Sequence, residues 1–320
     1  MQQGNVFGMS RDSVGGTFLV ALLLCLICAF LVSFTAVSLK QTQLKNQETF
    51  RKSKVLEVAQ ISKDEIDAAG GVLAAFDKRI QSMIIELDSG KDGAETAQKA
   101  MEQIGKDFGG DILGKYDQFW AAKSRNTLLA DEIKDRRKDP AGLRFREKFS
   151  HVYALKSADG KSVERYIFPI RGNGLWGVMQ GFVALEPDFK TVAGLTYYDH
   201  KETPGLGGEV DNPEWKKSWE GQLVYDEEGE VALKVVKGTA AEGSAYQIDG
   251  LSGATITGNG VNSMIQFWFG DQGFGPFINQ RKSESAQAKH DENALPAVGW
   301  GLSFKSAQFD PDFSGAANVR

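Results

Sequence analysis

The sequence predicts an α+β protein: an N-terminal transmembrane helix followed by a soluble domain with a largely antiparallel sheet and flanking helices. Three observations carry this expectation. Residues 17–39 contain no charged side chain and are almost wholly apolar, which suffices for a bilayer span of roughly 20 helical residues. Residues 41–83 then place apolar side chains at helical spacing, as in Val55, Val58, Ile61, Ile66, Val72, Leu73 and Phe76. From His151 onward, runs rich in β-branched and aromatic residues alternate with turn residues, the pattern of short antiparallel strands.

The apolar span exceeds the roughly 7–15-residue core of a cleaved signal peptide, and Ser33-Phe34-Thr35-Ala36 makes a poor cleavage site. A retained anchor is therefore expected. Both cysteines, Cys25 and Cys28, fall inside the span. Two small apolar residues on a helix explain them more simply than an iron–sulfur ligand pair, and the rest of the chain has no thiol for a disulfide or a metal. Positive residues lie mostly after the span, at Lys40, Lys45, Arg51, Lys52 and Lys54 against Arg11 before it. By charge alone this places the following domain in the cytoplasm, although long downstream domains translocate largely regardless of charge.

A further helix is expected over residues 94–108, and the charged segment 131–140 reads as a solvated helix end or loop. Residues 152–156 and 163–170 flank Ala158-Asp159-Gly160-Lys161 and predict a β-hairpin. More strands are expected at 177–185, 191–198, 222–225 and 231–236. Residues 212–220 read as a short helix capped by Asn212, with Pro213 at its first position. The chain thus divides into an N-terminus (1–16), an anchor (17–39), a helical membrane-proximal region (40–150), the main domain (151–281) and a polar extension (282–320) that reads as a tail or a docking strap.

The net charge of −5 leaves no basic footprint for nucleic acid. His151, His200 and His290 are scattered without metal-ligand spacing. No Ser-His-Asp or paired-carboxylate arrangement can be argued, and neither a phosphate-cradling loop nor a dinucleotide fingerprint follows an expected strand. Trp176, Trp215, Trp219, Phe267, Trp268 and Phe269 read as core aromatics before they read as an electron path.

One stretch stands apart: Asp249-Gly250-Leu251-Ser252-Gly253-Ala254-Thr255-Ile256-Thr257. Gly253 and Ala254 leave the backbone uncrowded, so the Thr255 hydroxyl is open to a bulky group. The same residues also fit a helix start, with Ser252, Thr255 or Thr257 capping the amphipathic run 261–269. Spacing leaves both readings open. Separately, Glu202-Thr203-Pro204-Gly205-Leu206-Gly207-Gly208 reads as a tight loop permitting close backbone approach to a flat ligand.

The run Asp249-x-x-Ser252-Gly253-Ala254-Thr255 resembles the flavinylation motif of the FMN-binding domain family, whose last Thr carries FMN through a phosphoester bond. The segment 197–213, from Tyr197 through the Glu202 loop to Pro213, resembles the second signature of that family. The likeness covers roughly residues 150–281. Gly172-Asn173-Gly174-Leu175-Trp176 and the run from Phe269 to Phe277 are similar to the branch found in sodium-translocating membrane NADH:quinone reductases. An Rnf-type ferredoxin:NAD reductase shares the first two motifs.

The resemblance implies covalent FMN on Thr255, with Asp249, Ser252, Gly253 and Ala254 shaping the attachment loop, and Glu202, Thr203 and Leu206 against the isoalloxazine ring. It further implies an electron carrier that binds neither NADH nor quinone itself. Its partners would be the other subunits of the reductase, a flavin transferase for maturation and membrane lipid. It puts residues 40–320 on the outer, periplasmic face of a bacterial inner membrane, against the charge count. A non-redox membrane-anchored assembly protein is the expectation from another class.

Overall fold

The computed structural model describes residues 14–290; the terminal stretches 1–13 and 291–320 lie outside it, and with them most of the expected extension. The chain forms two units divided between Lys52 and Ser53.

The first unit is the body of helix α1 (Val14–Val58). Its apolar side chains point outward: Phe18, Leu22, Leu24, Leu26, Ile27 and Phe30 are all more than half exposed. An 18-residue stretch of it reaches a mean hydropathy of 2.8 with none of it buried. A helix apolar all round and uncovered by protein fits lipid as its solvent. Helix extends well past the expected span, because the charged residues after Leu39 are good helix formers and nothing before Gln60 breaks the pattern. Cys25 and Cys28 are free thiols on its exposed surface.

The second unit begins with the last turn of α1 and the short helices α2 (Lys63–Ala68) and α3 (Val72–Arg79), followed by strand β1 (Ile80–Glu86). Helices α4 (Ala94–Gln103), α5 (Ile112–Lys115) and α6 (Gln118–Ser124) come next, then strands β2 (Ala130–Glu132) and β3 (Phe145–Glu147). Strands β4 (Phe149–Lys156), β5 (Val163–Asn173), β6 (Val178–Leu185) and β7 (Val192–Asp199) precede α7 (Pro213–Lys217). Two-residue strands β8 (Lys234–Val235) and β9 (Gln247–Ile248) lead to the long helices α8 (Thr255–Phe269) and α9 (Gly275–His290).

Five strands form an antiparallel sheet in the order β1-β4-β5-β6-β7. Both faces are covered. Val152, Ala154, Phe168, Ile170, Val183 and Leu195 point into one cluster with Val261, Ile265 and Trp268 of α8 and Phe277 of α9. Tyr153, Leu155, Ile167, Phe182 and Ala184, their alternate neighbours, point into a second cluster with Val55, Leu56 and Val58 of α1 and Phe76 of α3. Adjacent residues on a strand face opposite ways, so a sheet buried on both sides reads as continuous apolar runs.

That double burial explains where the structure departs from expectation. Helical spacing predicts helix as far as residue 83, yet α3 stops at Arg79 and Ile80 turns to extended backbone. Met83, Ile84 and Ile85 are all buried because β1 is an edge strand sandwiched between layers. The boundary expected at residue 151 falls inside β4. Around 222–225 there are only single bridges, Thr191 to Leu223 and Tyr225 to Val231, and 231–236 contributes just β8, parallel to β9. The charged segment 131–140 holds part of β2 and a 3-10 turn. The hairpin β4–β5, strands β6 and β7, and the Asn212 cap of α7, which accepts from the Glu214 amide at 2.9 Å, follow the pattern read from the sequence.

Candidate cofactor site

Three segments meet where β5, β7 and the N-terminus of α8 converge. The first is the β5–β6 connection, closed by the Gly174 amide donating to the Gly177 carbonyl at 2.8 Å. Helix α8 presses against it: a Cβ on Gly260 would lie 2.3 Å from the Asn173 carbonyl oxygen, so only glycine allows this approach. The connection holds Leu175 and Trp176 out of the core, with Trp176 62% exposed. Trp176 is therefore the exception among the aromatics expected to be core; Trp215, Trp219, Phe267, Trp268 and Phe269 are buried.

The second segment leaves β7. Thr203-Pro204-Gly205-Leu206 is a β-turn closed by the Leu206 amide on the Thr203 carbonyl, with Gly205 at φ 76°. Proline second and a positive-φ glycine third is the type II requirement. His200 fastens its base: Nδ1 accepts the Glu202 amide at 3.2 Å and Nε2 meets Asp211 at 2.8 Å. Leu206 is left 44% exposed at the tip.

The third segment is the attachment loop. Leu251-Ser252-Gly253-Ala254 is a turn of the same kind, closed by the Ala254 amide on the Leu251 carbonyl, with Gly253 at φ 69°. The two turns touch, since a Cβ on Gly253 would sit 2.9 Å from Leu206 Cδ2. Asp249 anchors the loop from outside: its carboxylate accepts the Ala240 amide at 2.7 Å and its carbonyl accepts the Trp215 indole N–H at 2.9 Å. Helix α8 then starts at Thr255, earlier than the apolar run predicts, with Ala254 in the cap position and no side chain capping it. None of Ser252, Thr255 and Thr257 serves as a side-chain cap. Ser252 and Thr255 are exposed, whereas Thr257 is fully buried. Thr255 also lines an open cavity of about 40 Å³ together with Val235, Lys237, Leu251 and Asn259.

Glu202 ties the three segments together. It is 5% exposed. One carboxylate oxygen accepts the Trp176 amide at 3.0 Å and the other accepts the Thr257 hydroxyl at 2.5 Å. The Trp176 indole N–H donates to the Thr203 hydroxyl at 3.1 Å, which lays the ring along the Thr203 turn. Beneath, Tyr197 is buried against Met264, and burial first, then the nearby Asp211 charge, raises its phenol far above the ordinary range and keeps it neutral. Sequence reasoning singled out Asp249, Ser252, Gly253, Ala254 and Thr255 on the attachment loop and Glu202, Thr203 and Leu206 on the other turn. It missed Trp176 as an exposed site residue, although the Gly172-Asn173-Gly174 turn before it was a usable signal.

An exposed threonine thus opens helix α8 two residues beyond Gly253, whose turn packs against the exposed Leu206. A family model described as the FMN-binding domain matches residues 174–270, the span that holds all three segments. The crystal structure of Shewanella oneidensis NqrC superposes with a TM-score of 0.64 at 31% identity, covering 75% of this chain and 99% of that one. The corresponding NqrC protein of the Na(+)-translocating NADH-quinone reductase of Pseudomonas aeruginosa is 39% identical over 280 residues, covering 86% of this chain and 99% of that protein. Its Vibrio parahaemolyticus counterpart is 40% identical over 270 residues, covering 84% and 95%. The chain belongs to the NqrC family of Na(+)-translocating NADH-quinone reductase subunits.

Proposed function

We propose that this chain is the covalently flavinylated electron carrier of a sodium-pumping NADH:quinone oxidoreductase, with FMN joined to Thr255 through a phosphoester. The observation that carries the reading is Thr255 itself: exposed, first in a 15-residue helix, and free of any capping duty. The unshared amides and positive end of a helix favour a phosphate group there, and Lys237 lines the same cavity with a positive charge.

The residues present fit the rest of the cofactor. Trp176 and Leu206 offer exposed apolar faces on which a flat ring can lie, and Thr203 offers a hydroxyl at their edge. Ser252 and Gly253 keep the loop small, and the Asp249 carboxylate holds its outer side. Bound FMN supplies the electron-accepting and electron-donating chemistry, while the chain supplies orientation and environment. The apolar helix supports a single-span anchor in lipid. We place the soluble domain on the periplasmic side, where a covalent tether prevents loss of a cofactor that the compartment does not supply and a flavin transferase completes maturation. The functional division of the sequence reading, a flavin module within 151–281 and membrane-proximal support within 40–150, belongs to the same proposal, although β1 and the start of β4 join the sheet across that limit.

Thr255→Ala is expected to abolish the ultraviolet-excited flavin fluorescence of the denatured chain and the FMN mass increment on its peptide. A fluorescent band or adduct surviving in that variant would remove Thr255 as the attachment point.

A further inference from the structure

Resting on that reading, we propose that Glu202 is a positioning residue that works from beneath the flavin ledge, holding Trp176 and helix α8 in register, and that it makes no contact with the ring. A fully enclosed carboxylate is rare unless it is paired with a cation. Glu202 has no ion pair among the described residues; its two oxygens meet two neutral donors from different elements, the Trp176 amide and the Thr257 hydroxyl. Each oxygen already holds a bond directed inward and the side chain is only 5% exposed, so the carboxylate faces the tie beneath the ledge and not the surface above it.

The surroundings are built to this group. A Cβ on Gly174 would fall 2.6 Å from one Glu202 oxygen, and a Cβ on Gly207 would fall 2.6 Å from the other and from the Thr257 hydroxyl. Glycine occurs on both sides of the carboxylate because any larger residue would displace it. The three connected elements each carry one part of the proposed site: Trp176 on the β5–β6 connection, Leu206 on the turn after Glu202, and Thr255 two residues before Thr257. Loss of the carboxylate therefore releases the ledge and the attachment helix from one another.

The test separates geometry from charge and from the flavin. Glutamine can still accept the Trp176 amide with its carbonyl oxygen and donate to Thr257 with its amide; alanine does neither. Hydrogen exchange of the peptide containing Trp176 is measured first in the full-length Thr255→Ala chain, which carries no flavin under the proposed function. Adding Glu202→Ala is expected to speed exchange there about tenfold, the size of losing one buried acceptor, and adding Glu202→Gln to leave it unchanged. With Thr255 intact, Glu202→Ala is expected to lower flavin occupancy and Glu202→Gln to restore it.

Thr257→Val cuts one arm alone and gives an intermediate result if Glu202→Ala fails to fold. Unchanged exchange at Trp176 in both Glu202→Ala and Thr257→Val overturns the proposal, as does a glutamine variant that behaves like alanine. Fluorescence surviving in Thr255→Ala would instead strike the attachment site and leave the exchange result standing.

Discussion

Gly207→Ala is the sharpest steric probe of the site, because one added methyl lands on its central hydrogen bond. The new Cβ would lie 2.6 Å from both the Glu202 carboxylate oxygen and the Thr257 hydroxyl, and 3.0 Å from Glu202 Cβ. None of these atoms is the loose end of a surface side chain: Glu202 and Thr257 are both buried. Overpacking of this kind costs about 1–3 kcal/mol, and separating the Thr257–Glu202 bond is part of that cost. For a domain of this size, about 2 kcal/mol lowers Tm by roughly 4–8 °C. Gly205→Ala is the control, with open space around its Cβ but a φ of 76°, which costs roughly 1 kcal/mol of backbone strain and leaves the Glu202 hydrogen bonds in place. Thermal unfolding of the full chain in detergent, read beside in-gel flavin fluorescence, distinguishes them. The expected outcome is a larger loss of Tm and a loss of flavin occupancy for Gly207→Ala, with near-normal occupancy for Gly205→Ala. Equal occupancy in the two variants would refute the steric reasoning.

Trp176→Ala should change stability by no more than about 0.5 kcal/mol, as for an exposed residue, yet shift the absorption and midpoint potential of the bound flavin; a spectrum identical to the parent would take Trp176 off the ledge. Glu147→Gln leaves the Arg171 guanidinium buried without its ion-pair partner at 2.5 Å, which should destabilise the domain by about 3 kcal/mol, measured by denaturant unfolding, with occupancy per folded molecule unchanged. Asp188 is partly buried, which opposes its charged form, but the Thr191 hydroxyl and the Thr191 and Lys190 amides outweigh this and hold its carboxyl below the ordinary 3.8. The sign follows: its contribution is fully present above pH 3.8 and is lost as pH falls through the lower folded value. Acid titration of Asp188→Asn against the parent should show a stability gap at neutral pH that closes on acidification below 3.8.

Legibility in the sequence followed the physics of burial. Asn212 and Pro213 announced the start of α7 because a cap is a local hydrogen bond. The β4–β5 hairpin was visible because Asp159 and Gly160 must build its turn, and Asp159 does so by accepting from Ser157 and Lys161. Strand β1 was hidden because its neighbours bury both of its faces and erase the alternation that marks a strand. Near Gln222 the reason differs: only isolated bridges form, and single backbone hydrogen bonds to Lys190, Val192 and Trp219 set the path.

At the site, the glycine turns were legible and the tie between them was not. Positive φ at Gly205 and Gly253 is a demand that a sequence states openly. The Glu202 bonds join residues separated by 26 and 55 positions, and no local pattern encodes such a closure. What a sequence can offer is indirect: a glutamate three residues before a glycine-rich turn, a tryptophan shortly after a Gly-Asn-Gly turn, and a second threonine two residues beyond the first. Thr257 shows why the second threonine matters. It shares a helix turn with Thr255, but its hydroxyl is spent on Glu202 while the Thr255 hydroxyl stays free. If flavin attachment selects Thr255 over its neighbour by exposure, then in Thr255→Ala the Thr257 hydroxyl, buried in the parent chain and still bonded to Glu202, receives no FMN. Peptide mass spectrometry of that variant checks the point, and an adduct on Thr257 would show that selection lies outside the fold described.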